Sequence, residues 1–134
     1  MAMTSSLIQN DRVTIRHDVI NGWSVVEIDG EVDAHTAPLI CEVVCKLLHE
    51  GHHHLVLDFR LVRFIDSMGL RMVVAITKRI RDSQGSLRMA CASSRTLKVF
   101  EFTGLDDAFE FYDSPEEATR RRPSADGLAS WPRS

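Results

Sequence analysis

A chain of 134 residues, 44% hydrophobic and 26% charged, has the size and balance of one globular domain that can bury a core without disulfides or a structural metal. Its net charge of −3 and pI near 6.0 argue against a general nucleic-acid binder. The opening MAMTSSLIQN carries no secretory signal, no run approaches the ~20 apolar residues of a membrane span, and three cysteines (Cys41, Cys45, Cys91) without an export signal fit a reducing cytoplasm.

Residues 1–10 are polar and read as a loose N-terminal segment. VTIRHDVI (Val13 to Ile20) begins with apolar–polar alternation and predicts a strand. Asn21-Gly22 is a hairpin signal, so WSVVEIDG (Trp23 to Gly30) is the returning antiparallel strand. In the loop that follows, Thr36 is a plausible N-cap and Pro38 suits a first helical turn. Ile40, Val44, Leu47 and Leu48 keep helical spacing up to a stop at Gly51.

HLVLDF (His54 to Phe59) predicts a buried central strand, and RLVRFID a short connection after it. From Met68 to Ser83, Gly69, Met72, Val73, Ile76 and Ile80 recur at helical spacing, with Arg71, Lys78 and Asp82 opposite, and Gly85 ends the helix. Ser86 to Ala92 alternates as a strand, Ser93 or Ser94 can cap a short helix that Gly104 stops, and Ala108 to Tyr112 is a short strand. Ser-Pro-Glu-Glu opens a last helix. The remainder, residues 119–134, reads as a disordered tail, in which Trp131 has no assigned role. The order β-β-α-β-α-β-α-β-α predicts an α/β domain over residues 11–118: a mixed, mostly parallel sheet led by an antiparallel hairpin, with about four helices.

The stretch RFIDSMGLRM (Arg63 to Met72) holds the most chemistry. Ser67 at the mouth of a helix can be an N-cap, although Leu70 replaces the glutamate of a capping box. As a hydrolytic nucleophile it lacks the first glycine of G-x-S-x-G, since that position is Ile65. As an attachment point it is well placed: a helix N-terminus suits a phosphate, and Gly69 permits close approach. Elsewhere, Asp58 near a strand end lacks the adjacent acidic pair that a phospho-aspartate site requires. Cys41, Cys45 and His49 share a helix stripe, and His49 to His54 is histidine-rich, yet there is no C-x-x-C. The reading is therefore no metal and no cofactor. Arg120 to Arg122 reads as a solvated helix end.

IDSMGL (Ile65 to Leu70) resembles the phosphoacceptor motif of STAS domains in bacterial anti-sigma factor antagonists. GEVDAHTAPL (Gly30 to Leu39) resembles that family's loop before its first helix, LVLDF its central strand, and Ser86 to Ala118 its closing elements. The resemblance spans about residues 11–118 and implies a non-enzymatic, cytoplasmic switch. An anti-sigma factor serine-protein kinase would bind the unmodified protein, release its sigma factor and phosphorylate Ser67; a PP2C-type phosphatase would reverse the modification. Asp66 and Gly69 would support the site, and Asp33, His35, Met68 and Arg71 would contribute to partner binding, with no direct nucleic-acid or membrane contact. Met68 departs from the small residue more usual there. The alternative within the same family is a scaffold or lipid-transport module in which Ser67 is only a cap.

Overall fold

The computed structural model describes residues 5–9, 11–91, 94–104 and 110–123. Six strands form one sheet in sequential order: β1 (Ser5–Gln9), β2 (Val13–Ile20), β3 (Trp23–Val32), β4 (His54–Ile65), β5 (Ser86–Ala90) and β6 (Glu110–Tyr112). The helices are α1 (Ala37–His49), α2 (Ser67–Asp82), α3 (Ser94–Phe102) and α4 (Pro115–Ala118). β1, β2 and β3 pair antiparallel, and β3 to β6 pair parallel. The mixed, mostly parallel sheet with four helices is the expected one.

Four local features differ from the sequence reading. Ser5–Gln9, read as loose, forms β1 against β2. β4 runs on to Ile65 through the stretch read as a connection, because Asp29 to Val32 of β3 pair with its second half. At the end of α2 the left-handed residue is Gln84 (φ 62°) rather than Gly85. Residues 119–123 belong to the folded body: the Asn21 amide donates to the Thr119 carbonyl at 2.8 Å, and the Trp23 indole N–H donates to the Arg121 carbonyl at 2.8 Å. Residues 124–134, including Trp131, lie outside the described residues.

Strand alternation builds two cores. Ile15, Val26, Ile28, Leu55, Leu57, Phe59 and Met89 point to one face and meet Ile40, Val44, Leu47, Val73, Ile76 and Ile80 of α1 and α2, with Phe100 of α3. The opposite parity, Val25, Val56 and Ala90 with Trp23, packs against Ala118 of α4. Every parallel crossover places its helix on the first face, in keeping with the single hand such units adopt. Asn21 (φ 51°) and Gly22 (φ 83°) are both left-handed, as a two-residue hairpin turn with the right twist demands. No helix among the described residues is long and apolar enough to cross a membrane.

Candidate functional site

The site lies at the carboxyl ends of β3 and β4. Val32 and Ile65 are register partners in the last rung of their parallel ladder, so the β3–α1 loop and the start of α2 emerge side by side. The Val32 carbonyl accepts the Asp66 N–H at 3.1 Å. That bond holds Asp66 in extended backbone (φ −109°, ψ −174°), the conformation of a helix N-cap. Its side chain then accepts the Gly69 N–H at 2.9 Å.

Asp66, and not Ser67, therefore caps α2. Ser67 is the first helical residue and is exposed, and no hydrogen bond engages its hydroxyl among the described residues. Gly69 is buried beneath it. A Cβ at that position would lie 2.6 Å from the Val32 carbonyl oxygen and 2.7 Å from Val32 Cγ1, so only glycine lets the helix start this close to β3.

The neighbouring loop is organised by Asp33. This carboxylate is buried; its Oδ1 accepts the backbone N–H of His35 at 2.8 Å and of Thr36 at 3.1 Å, and its Oδ2 faces Arg12 Nη1 at 3.0 Å. Burial opposes its charge, yet the two amides and the Arg12 guanidinium hold the carboxyl below its ordinary range. Thr36 occupies the N-cap position of α1, but its hydroxyl donates to the Glu31 carbonyl at 2.7 Å and accepts the Asp33 N–H. Asp33 thus shapes the loop, while the side chains of His35, Met68 and Arg71 stand exposed. Arg12 escaped the sequence reading because it lies 21 residues from Asp33, in the bend before β2.

Beside Ser67 the surface is apolar in patches. Phe64, Met68 and Val74 are exposed, and Leu70, Arg71, Val74, Ala75 and Thr103 line a groove between α2 and the end of α3. The other sequence candidates lie apart. Asp58 is buried and bound through Oδ1 and Oδ2 by Arg60 Nε and Nη2 at 3.0 and 3.1 Å, a structural ion pair. Among the described residues no group of three or more His, Cys, Asp or Glu side chains is placed to hold a metal ion. The exposed guanidinium-bearing residues Arg120 to Arg122 follow α4, away from α2.

A six-stranded mixed sheet with α1, α2 and α3 on one face and α4 on the other, and a capped helix presenting an exposed serine beside a structured β3–α1 loop, define an α/β module. The STAS domain family model matches residues 13–118. The chain belongs to the STAS domain family. It is 30% identical over 103 residues to an anti-sigma-B factor antagonist of Staphylococcus epidermidis, covering 77% of this chain and 93% of that protein. It is 33% identical over 89 residues to the anti-sigma-B factor antagonist of Bacillus subtilis, covering 63% and 77%. The crystal structure of an anti-sigma factor antagonist from Mycobacterium paratuberculosis superposes with a TM-score of 0.74 at 27% identity, over 85% of this chain and 97% of that one.

Proposed function

We propose that this protein is an anti-sigma factor antagonist controlled by phosphorylation of Ser67. Unmodified, it binds an anti-sigma factor that is also a serine-protein kinase, and so releases the sigma factor in the cytoplasm. Phosphorylation of Ser67 ends that binding, and a PP2C-type phosphatase restores it. The protein acts as a regulatory binding partner and catalyses nothing itself.

One observation carries this reading: the cap of α2 is Asp66, which leaves the Ser67 hydroxyl exposed and uncommitted at a helix N-terminus. The first-turn amides and the positive end of the helix dipole suit an attached phosphate. The phosphate also brings about −1.5 to −2 charges next to Asp66, so the surface changes sign of interaction while the core stays untouched. The relatives' names supply the partner class, and Met68, His35 and Arg71 provide exposed contacts around the serine. In the scaffold alternative Ser67 is only a cap, and the Asp66 cap favours the switch reading over it.

The test is incubation with ATP and the cognate anti-sigma factor kinase, read by intact mass. One added phosphate is expected on the wild type and none on Ser67→Ala. A phosphate retained by Ser67→Ala, or none on the wild type, overturns the proposal.

A further inference from the structure

The acid that organises the β3–α1 loop is held from outside that loop. Arg12 sits in the bend before β2, and its Nη1 reaches Asp33 Oδ2 at 3.0 Å and Glu31 Oε1 at 3.5 Å. The backbone permits this reach. The Arg12 carbonyl accepts the Glu31 N–H at 3.1 Å, and a side chain on Gly30 would overlap that same carbonyl oxygen. The bend is therefore pressed against the end of β3, where its guanidinium covers the first loop acid.

Asp33 needs this partner for a physical reason. Its side chain is only 12% exposed, and its Oδ1 is taken by the His35 and Thr36 amides. Those amides satisfy the oxygen but bring no countercharge, and a carboxylate withdrawn from water is unfavourable without one. Arg12 supplies it at Oδ2 while staying half exposed itself, so the guanidinium keeps most of its hydration. Without Arg12 the carboxylate gains by turning out to water, and turning out breaks both amide bonds. Those two bonds fix the backbone at His35 and Thr36. The loop they shape leaves β3 beside the Val32–Ile65 rung, next to the point where Ser67 opens α2.

We infer that Arg12 is a positioning residue for recognition by the serine-protein kinase, holding the docking loop in shape through Asp33. The inference rests on the phosphorylation of Ser67 proposed above. Arg12 is no part of the α2 cap, and the Asp66–Gly69 bond and the Ser67 hydroxyl do not depend on it. Its loss therefore falls on docking and not on phosphoryl transfer: KM for this protein as substrate rises while kcat holds. A purely structural contribution would lower the melting temperature and leave both constants of the folded protein unchanged.

The experiment is steady-state phosphorylation of the full chain by the cognate kinase at saturating ATP, with a melting curve for every variant. Arg12→Gln is expected to raise KM about tenfold with kcat within about twofold of wild type. Arg12→Lys returns a charge without the planar fork and should raise KM only about two- to threefold, which keeps the test open if Arg12→Gln does not fold. Asp33→Asn keeps an oxygen for the two amides but removes the charge, and should raise KM about as much as Arg12→Gln. The double variant should be no worse than the worse single one, because both changes break one pair. An unchanged KM in folded Arg12→Gln, a loss confined to kcat, Arg12→Lys as impaired as Arg12→Gln, or additive losses in the double variant each overturn the inference. Additive losses would mean that Arg12 meets the kinase directly. Absence of phosphate on the wild type overturns the Ser67 reading itself, and this inference with it; a phosphorylated wild type matched by Arg12→Gln overturns the inference alone.

Discussion

Asp66 Oδ1 accepts the backbone N–H of Gly69 at 2.9 Å, and this single bond leaves Ser67 free. Two adjacent residues could each have capped α2. The β4 ladder delivers Asp66 in extended backbone through its bond to Val32, so the cap falls one residue before the serine.

Removing the cap should therefore cost stability, and removing the hydroxyl should not. Asp66→Ala is expected to destabilise the fold by about 1 kcal/mol. Ser67→Ala should stay within ~0.5 kcal/mol of wild type. Urea unfolding of the two variants measures the difference; a larger loss for Ser67→Ala would return the cap to the serine.

Gly69→Ala should destabilise despite the better helix propensity of alanine, which is worth about 1 kcal/mol. The new methyl meets the Val32 carbonyl oxygen and Cγ1, both of which belong to a buried strand residue. Overpacking of this kind costs ~1–3 kcal/mol. Thermal melting should fall, and the start of α2 should show faster amide exchange. A variant more stable than wild type contradicts the close approach.

The switch can be tested apart from the fold. Ser67→Ala preserves a small neutral surface and should bind the kinase nearly as well as wild type. Ser67→Glu puts a second negative charge beside Asp66 and should melt near wild type while binding far more weakly. A loss of ~3 kcal/mol on docking corresponds to roughly a hundredfold in affinity. Calorimetry giving equal affinities for the two variants would remove the electrostatic basis of the switch.

Acid should weaken the fold in two stages. His17 is lowered from 6.5 by burial and by His52, against Asp18 and Glu50; His54 is lowered by burial and by His53. Their unfolded forms bind protons more readily, so stability is full above pH 6.5 and is lost as pH falls through the lower folded values. His17 Nε2 is buried without a hydrogen-bond partner among the described residues, so His17→Gln should flatten this first slope. Asp33, lowered from 3.8, contributes stability that is full above that pH and is lost as pH falls further. Denaturation midpoints measured from pH 8 to pH 3 should show both losses; a stability that rises on acidification through pH 6 would contradict the signs.

Arg88 ties the second core together. Its Nε bonds Glu110 Oε2 at 3.2 Å, its Nη1 bonds the Ala118 carbonyl at 2.8 Å, and its guanidinium lies 4.5 Å from the Trp23 ring centroid. Arg88→Met keeps the stem but strands the Ala118 carbonyl, while Glu110 Oε2 keeps the Tyr112 hydroxyl at 2.9 Å. A loss of about 1–3 kcal/mol is expected, with Trp23 fluorescence shifted as its surroundings loosen. Unchanged stability and emission would show that α4 and residues 119–123 are held by other contacts.

Most elements were legible in the sequence because their signals are local. Period-two alternation marked β2 and β5; period-three-to-four spacing marked α1 and α2; and Asn21-Gly22 marked the hairpin and with it β3. β1 was missed because a short polar segment gains its structure from pairing with β2, and the second half of β4 because Arg60 and Arg63 interrupt the apolar run. The same limit applies at the site. Sequence alone placed Ser67, Asp66 and Gly69 together at a helix mouth. It could not choose the cap, since that depends on the backbone angles imposed by β3 on β4, and it gave Asp33 a part in partner binding without showing that the carboxylate is buried in the loop. Only the tertiary structure joined Val32 to Asp66, Arg12 to Asp33 and Trp23 to Arg121. Propensity and periodicity act over a few residues, whereas these bonds close gaps of 21 to 98 residues and exist only once the sheet has formed.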